Sequence, residues 1–460
     1  MFSRNILFAA FILGTLFSGL LRGQETVTAE KAAQDLAREI EKKVSEVRGL
    51  SYLSPTKVGV HTATALREFL TGELDKELTP EIASKHERCM VMLGLYDHQT
   101  DLRSAAMALL AEQVAGFYNP EKKELFLIKR SGEESANSKK MDRTIMAHEL
   151  VHALQDQHFN LTKFLSDVST NDDMTTARKS LVEGDATWAM LAFDQGAKMT
   201  SSMLKPPMSA MIPDDIAAMK PLFEKAKQLG IDMGSSDGLN TDALFNAPLV
   251  DADEMVFSYY GGAKFCNHLI AKGGMKALDA AFTRPPQSSE QILHPKKYDV
   301  EYDAPQSVTL PDLANILGSG FTKVGSNTLG EMRIRSWLSE LGHKGKQKKQ
   351  THSGWDGDTY AVYGGANLAD ALLWVSVWDS PEDAKEFAVV ANAFIMKLTP
   401  DAVVQDGLRC QYGLASTVVV DGSKVFVLRQ IPMKKYNDIL HRVQSATQFK
   451  EIRFAEDTKK

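Results

Sequence analysis

His148-Glu149-Leu150-Val151-His152 carries two histidines four residues apart, with a glutamate beside the first. On a helix, positions i and i+4 lie on one face with Cβ atoms roughly 5–6 Å apart, so both rings can reach one small cation. Glu149 sits next to that face, where a carboxylate can take a proton from a metal-polarised water. The segment predicts a helix with a metal-binding face.

Upstream, Val114 to Tyr118 and Leu125 to Ile128 are short apolar runs around the turn residues 119–123, a pattern that predicts a hairpin. Residues 131–140 are polar and predict a loop, with Asp142 as the cap of the motif helix. That helix is expected to run to about Phe159. A loop over 166–176 and a second long helix over 177–195 follow.

Two histidines do not complete a zinc site; a third protein ligand is needed, with one position left for water. Two residues compete for that place. Glu183 lies on the next helix, whereas His158 follows His152 by six residues on the same segment. If the helix continues, six residues rotate His158 well away from the His152 face. A sharp turn that would bring it back is favoured by glycine, and Gln155 stands there instead. Geometry therefore favours Glu183.

Residues 148–156 (HELVHALQD) resemble the active-site helix of thermolysin-type gluzincins, and Glu183-Gly184-Asp185-Ala186 resembles the glutamate segment of gluzincin aminopeptidases. The likeness covers about residues 114–195. A wider pattern is similar to a family of exported bacterial gluzincin-like proteins of poorly defined activity. It consists of Gln113 to Pro120, His148 to His158, Leu181 to Ala186 and Ser289 to Pro295. One position departs: thermolysin-like enzymes place a supporting aspartate four residues after the glutamate ligand, where this chain has Thr187. Asp185, two residues on, is expected to point elsewhere on a regular helix.

The resemblance implies Zn²⁺ held by His148, His152 and Glu183, with Glu149 as general base in the hydrolysis of a peptide bond. Tyr259, Tyr260 and His294 are the candidates for a donor to the oxyanion, because gluzincins supply a Tyr or His downstream of the glutamate. Each also has a structural reading: the tyrosines as core packing, His294 before Pro295 as a turn brace. Asp156 either hydrogen-bonds a ligand histidine or caps the helix.

The chain has 460 residues and a formal charge of −6, which gives no overall basic field for nucleic acid. Arg4 and the apolar run 6–21 have the layout of a secretory signal peptide over 1–23, implying export to the periplasm or exterior; an uncleaved anchor is the alternative. Cys89, Cys266 and Cys410 form no disulfide framework or C-x-x-C unit, leaving either one bridge or three buried thiols.

The expected fold is α+β and mainly helical: a helical region over 24–110, a zincin-like metallopeptidase core with a small edge sheet over 111–305, and a C-terminal α+β domain over 306–460. Within the core, the Met-, Pro- and Ser-rich stretch 199–250 reads as a flap or linker around a helix at 216–229. In the C-terminal part, residues 342–350 read as a basic loop and Trp355, Trp374 and Trp378 as core or rim aromatics. The leading functional expectation is a secreted zinc peptidase acting on peptide or protein substrates. A catalytically silent metal-binding scaffold and a zinc hydrolase of a non-peptide amide are the alternatives.

Overall fold

The computed structural model describes residues 24–113, 116–128, 136–194, 215–228, 241–405 and 407–453. The expected signal peptide, and the parts of the expected flap or linker at 199–214 and 229–240, lie outside the described residues. Among the described residues, no helix is long and apolar enough to cross a membrane. The described residues are α+β, with many helices and three sheets. Their contacts divide them into two units: the described residues of 24–80, 101–169 and 175–286, and those of 81–100, 170–174 and 287–453. Residues 24–80 thus share a unit with the motif helix, and the later boundary falls at 286/287 where 305/306 was expected.

In the first unit, α1 (Gln24–Arg48) is rich in strong helix formers, and its apolar positions recur every three or four residues. Ala37, Ile40 and Val44 are buried against Leu150, Val151 and Leu154 of α2 (Ala136–Phe159) and Ala186 and Ala189 of α3 (Asp172–Asp194). The expected hairpin is present as β2 (Gly116–Asn119) paired antiparallel with β3 (Glu124–Ile128). Asn119 shapes its turn by accepting the amides of Glu121 and Lys122, each at 2.9 Å. β1 (Lys57–His61) adds parallel to β3, giving the order β1-β3-β2.

Two helix starts differ from expectation. α2 begins at Ala136, so Asp142 falls inside it and is not its cap. α3 begins at Asp172, five residues earlier than expected. There Asn171 accepts the Met174 amide at 3.0 Å, and Asp172 and Asp173 place negative charge in the first turn. A cap and the helix dipole together outweigh the polar, loop-like composition.

α3 crosses α4 (Gly262–Thr283) at backbone contact. A Cβ on Gly184 would lie 2.1 Å from the Gly262 carbonyl carbon, and one on Gly262 would lie 2.0 Å from the Ser180 oxygen. Only glycine at both positions permits this approach. Gly184→Ala is therefore expected to cost roughly 3 kcal/mol through overpacking and to displace its neighbour Glu183. A thermal midpoint and metal content measured together would check it; an unchanged midpoint would contradict the packing. The chain enters α4 from the helix Leu249–Val256 through a π-helical turn, Phe257–Gly261. Within α4, Gly274 is non-helical with φ 68°, a left-handed conformation that glycine adopts readily.

The second unit is built on a seven-stranded antiparallel sheet. β4 (Gln306–Thr309) pairs with β12 (Gln448–Glu451) in a separate two-stranded sheet, and the order of the large one is β5 (Thr322–Asn327), β6 (Trp355–Gly364), β7 (Ala371–Trp378), β11 (Lys424–Pro432), β10 (Leu414–Asp421), β9 (Leu408–Gln411) and β8 (Val403–Gln405). Every residue of β7 is buried, as a strand covered on both faces requires. Trp337 of α5 (Gly330–Glu340) packs edge-on against Trp374, and Phe387 of α6 (Pro381–Leu398) stacks on Trp378. The tryptophans are core residues. Asp358 accepts Trp355 and Trp374 indole N–H groups at 3.0 Å and the amides of Leu329 and Gly330, so this buried carboxylate has its partners. The expected basic loop contains a helix, Gly345–His352. Cys89, Cys266 and Cys410 are all free thiols.

Candidate metal centre

α2 carries His148, Glu149 and His152 with no exposed surface, and their contacts come from Tyr118 of β2, Glu183 of α3 and Tyr259 of the π-helical turn. Glu183 of the neighbouring α3 reaches the same point. The Nε2 atoms of His148 and His152 stand 3.1 Å apart, and Glu183 Oε2 lies 3.2 Å and 3.4 Å from them. These three donors form a nearly equilateral triangle. Glu149 also places a carboxylate oxygen within 4.8 Å of the histidine donors.

The donor set fits a zinc ion. Donors held tetrahedrally at about 2.0–2.1 Å from the metal stand about 3.3–3.4 Å from one another, close to the triangle observed. Two imidazole nitrogens and one carboxylate oxygen are donors of the kinds that bind zinc.

The outer contacts fix how His152 faces the triangle. Its Nδ1 lies 2.9 Å from Gln155 Oε1, and the Gln155 amide donates to Val182 O at 3.0 Å and Asp185 Oδ2 at 2.9 Å. With its amide spent on two acceptors, Gln155 offers oxygen to the ring, so Nδ1 carries a proton and Nε2 is the atom turned toward the triangle. Asp185 is itself held by Arg48, which also reaches Asp279 at 2.7 Å. Asp185 thus supports His152 through Gln155, a connection that helix position alone did not suggest.

Glu149 is positioned by a backbone donor: its Oε2 accepts the Tyr118 amide of β2 at 2.7 Å, while its Oε1 has no hydrogen-bond partner among the described residues. Burial, opposed by His152, pushes its carboxyl up to about 8. Burial also works against charge on His152, but Glu183 and Glu149 outweigh it and carry the ring up to about 9. His148 moves the other way, because burial prevails over Glu183 there. Burial would raise Glu183, yet the two imidazoles hold it down to about 2. The arrangement favours an ionised Glu183 beside a carboxyl that holds a proton readily.

The remaining sequence candidates divide. Tyr259, presented by the π-helical turn, stacks on His148 with ring centroids 5.8 Å apart. Such turns recur at functional sites. Tyr260 packs instead against the apolar cluster of Leu109, Ile216, Leu244 and Val256. His294 belongs to the second unit, where its Nε2 bonds Glu331 at 2.9 Å. His158 is turned away as the unbroken helix requires, and its Nε2 meets Ser51 O at 2.8 Å. Asp156 takes the capping reading: it accepts the Leu161 amide, the Tyr118 hydroxyl and Lys123, and no ligand histidine.

Sequence reasoning missed Gln155 and Arg48. Gln155 carried a signal, since it lies one helical turn beyond His152. Arg48 carried none, because 137 residues separate it from Asp185.

A family described as "Domain of unknown function (DUF8575)" matches residues 319–440, which lie in the second unit. No curated protein matches the chain. Among solved structures, one from Chloroflexus aurantiacus, described as a "putative hydrolase with a novel fold", aligns at 16% identity with a TM-score of 0.37. That alignment covers 61% of this chain and 92% of the other.

Proposed function

We propose that the chain is a zinc-dependent peptidase with a gluzincin-like, zincin-type centre, exported by way of residues 1–23. The observation that carries this reading is the pairing of a three-donor triangle with a separate buried carboxylate, Glu149, that has one oxygen uncommitted. A structural metal site needs no such base and fills all four positions.

His148, His152 and Glu183 would hold the ion. When bound, zinc lowers the pKa of water toward neutral and polarises a scissile carbonyl. Glu149 then works through Oε1, taking the proton from the attacking water and returning it to the leaving amine, while the Tyr118 amide keeps Oε2 in place. Gln155 holds the His152 ring in the tautomer that leaves Nε2 free. Tyr259, beside His148, is the best-placed of the three candidates to face the developing oxyanion.

The scaffold reading draws on one observation: His148, Glu149 and His152 have no exposed surface among the described residues. Two substitutions test the ligand assignment. Glu183→Ala is expected to reduce bound zinc at this centre at least tenfold and to abolish cleavage of an unfolded protein substrate. His158→Ala is expected to leave both unchanged. Zinc and cleavage lost only in the His158 variant would replace Glu183 by the metzincin-like ligand. Zinc retained by a wild type that cleaves nothing would favour the scaffold, and cleavage confined to small amides would favour the non-peptide hydrolase.

A further inference from the structure

The geometry points to a second divalent-cation site, in the second unit, made by His294, Glu331 and His352 with Glu290 alongside. Three separate segments converge there. His294 ends the short helix Ser289–Leu293, Glu331 lies in the first turn of α5, and His352 ends the helix Gly345–His352. His294 Nε2 and His352 Nδ1 approach the same oxygen, Glu331 Oε1, at 2.9 Å and 2.7 Å. One ligand atom from each of the three residues lies within 4.8 Å of the others.

The polar groups at this point are not fully satisfied. Glu331 has no exposed surface, and its second oxygen, Oε2, has no hydrogen-bond partner among the described residues. Glu290 repeats the pattern: it is fully buried, its Oε1 takes Lys297 at 2.6 Å, and its Oε2 has no partner among the described residues. Lys297 divides its charge among Glu290, Asp303 and Asp379.

A buried carboxylate oxygen without a donor is costly. A divalent cation would supply the missing charge, with Glu331 and the two imidazoles as its ligands. Two imidazoles with carboxylate oxygens favour a zinc-like first-row ion over calcium or magnesium, which take oxygen alone. One candidate ligand atom from each of the three residues already lies within 4.8 Å of the others, so little movement is needed to gather them on one ion. Such an ion would pin α5 to the two flanking helices, a structural role in which bound metal raises the melting temperature.

The inference is independent of the peptidase reading, because it concerns other residues and is read by metal content. The experiment uses full-length protein stripped of metal, titrated with zinc alone and counted by elemental analysis, with circular dichroism to verify folding. The Glu183→Ala chain isolates the second site. It is expected to retain about one equivalent of zinc and to melt higher with zinc than without. Adding His352→Gln is expected to weaken that binding at least tenfold. His294→Gln, at a partly exposed ring, carries the same comparison should the His352 variant not fold. A folded Glu183→Ala chain that binds no zinc would overturn the site. So would an equivalent that persists through both histidine substitutions. Loss of zinc on changing His352 but not Glu183 would support this site while refuting the first.

Discussion

Glu149→Gln is expected to keep its zinc and to lose about a thousandfold in the cleavage of unfolded protein. The amide preserves shape, and its oxygen can still accept the Tyr118 amide, so the 2.7 Å contact and the helix packing should survive. What disappears is the basic oxygen at Oε1, which has no other partner. General-base catalysis typically contributes about 10²–10⁴-fold, and a buried base whose position is fixed belongs in the upper part of that range. Metal content separates this from a folding defect, because Glu149 is not among the three donors of the triangle. Equal cleavage by variant and wild type would remove Glu149 from the mechanism, whereas joint loss of zinc and cleavage would make it a ligand.

The second large effect is expected far from the motif in sequence. Arg48 is completely buried and bonded to Asp185, also completely buried, and to Asp279. Arg48→Met leaves Asp185 charged and without its cation in a dry site. Breaking one side of such a pair costs about 3–5 kcal/mol. The damage should reach the metal as well, because Asp185 orients Gln155 and Gln155 orients His152. Loss of such outer support typically weakens metal affinity about 10–100-fold. Asp185→Asn in the Arg48→Met background removes the unpaired charge and should recover much of the stability. A thermal melt and a zinc titration on the single and double variants check this. A single variant as stable as wild type would show that the ion pair is dispensable.

Much of the site was legible in the sequence because its signals are local. The i, i+4 histidines and the absence of a glycine turn near Gln155 together predicted an unbroken helix with His158 facing away, and that is the arrangement found. The hairpin was legible through its turn chemistry, in which Asn119 does what an Asx turn requires. Glu183 needed one further step, a second helix packed close by. The glycine that makes the closest crossing possible is its immediate neighbour, Gly184.

The rest depended on long-range packing. Composition made residues 166–176 look like a loop, but Asn171 and two aspartates start a helix there. Residues 342–350 look like a solvated basic loop, and Gly345–His352 is helical, with Lys348 and His352 buried. Tyr259 and Tyr260 are adjacent and chemically alike, and only the π-helical turn separates their surroundings. His294 read as an oxyanion candidate because of its place downstream of Glu183. Its observed partner, Glu331, lies 37 residues further on, beyond any periodicity argument.

Anomalous diffraction at the zinc edge from crystals of the zinc-loaded chain tests the central claim most directly. The account predicts a peak about 2.0–2.2 Å from the Nε2 atoms of His148 and His152 and from a Glu183 carboxylate oxygen, with Glu149 outside bonding distance. Density for zinc absent from that triangle, with its three side chains hydrogen-bonded to one another instead, would contradict it.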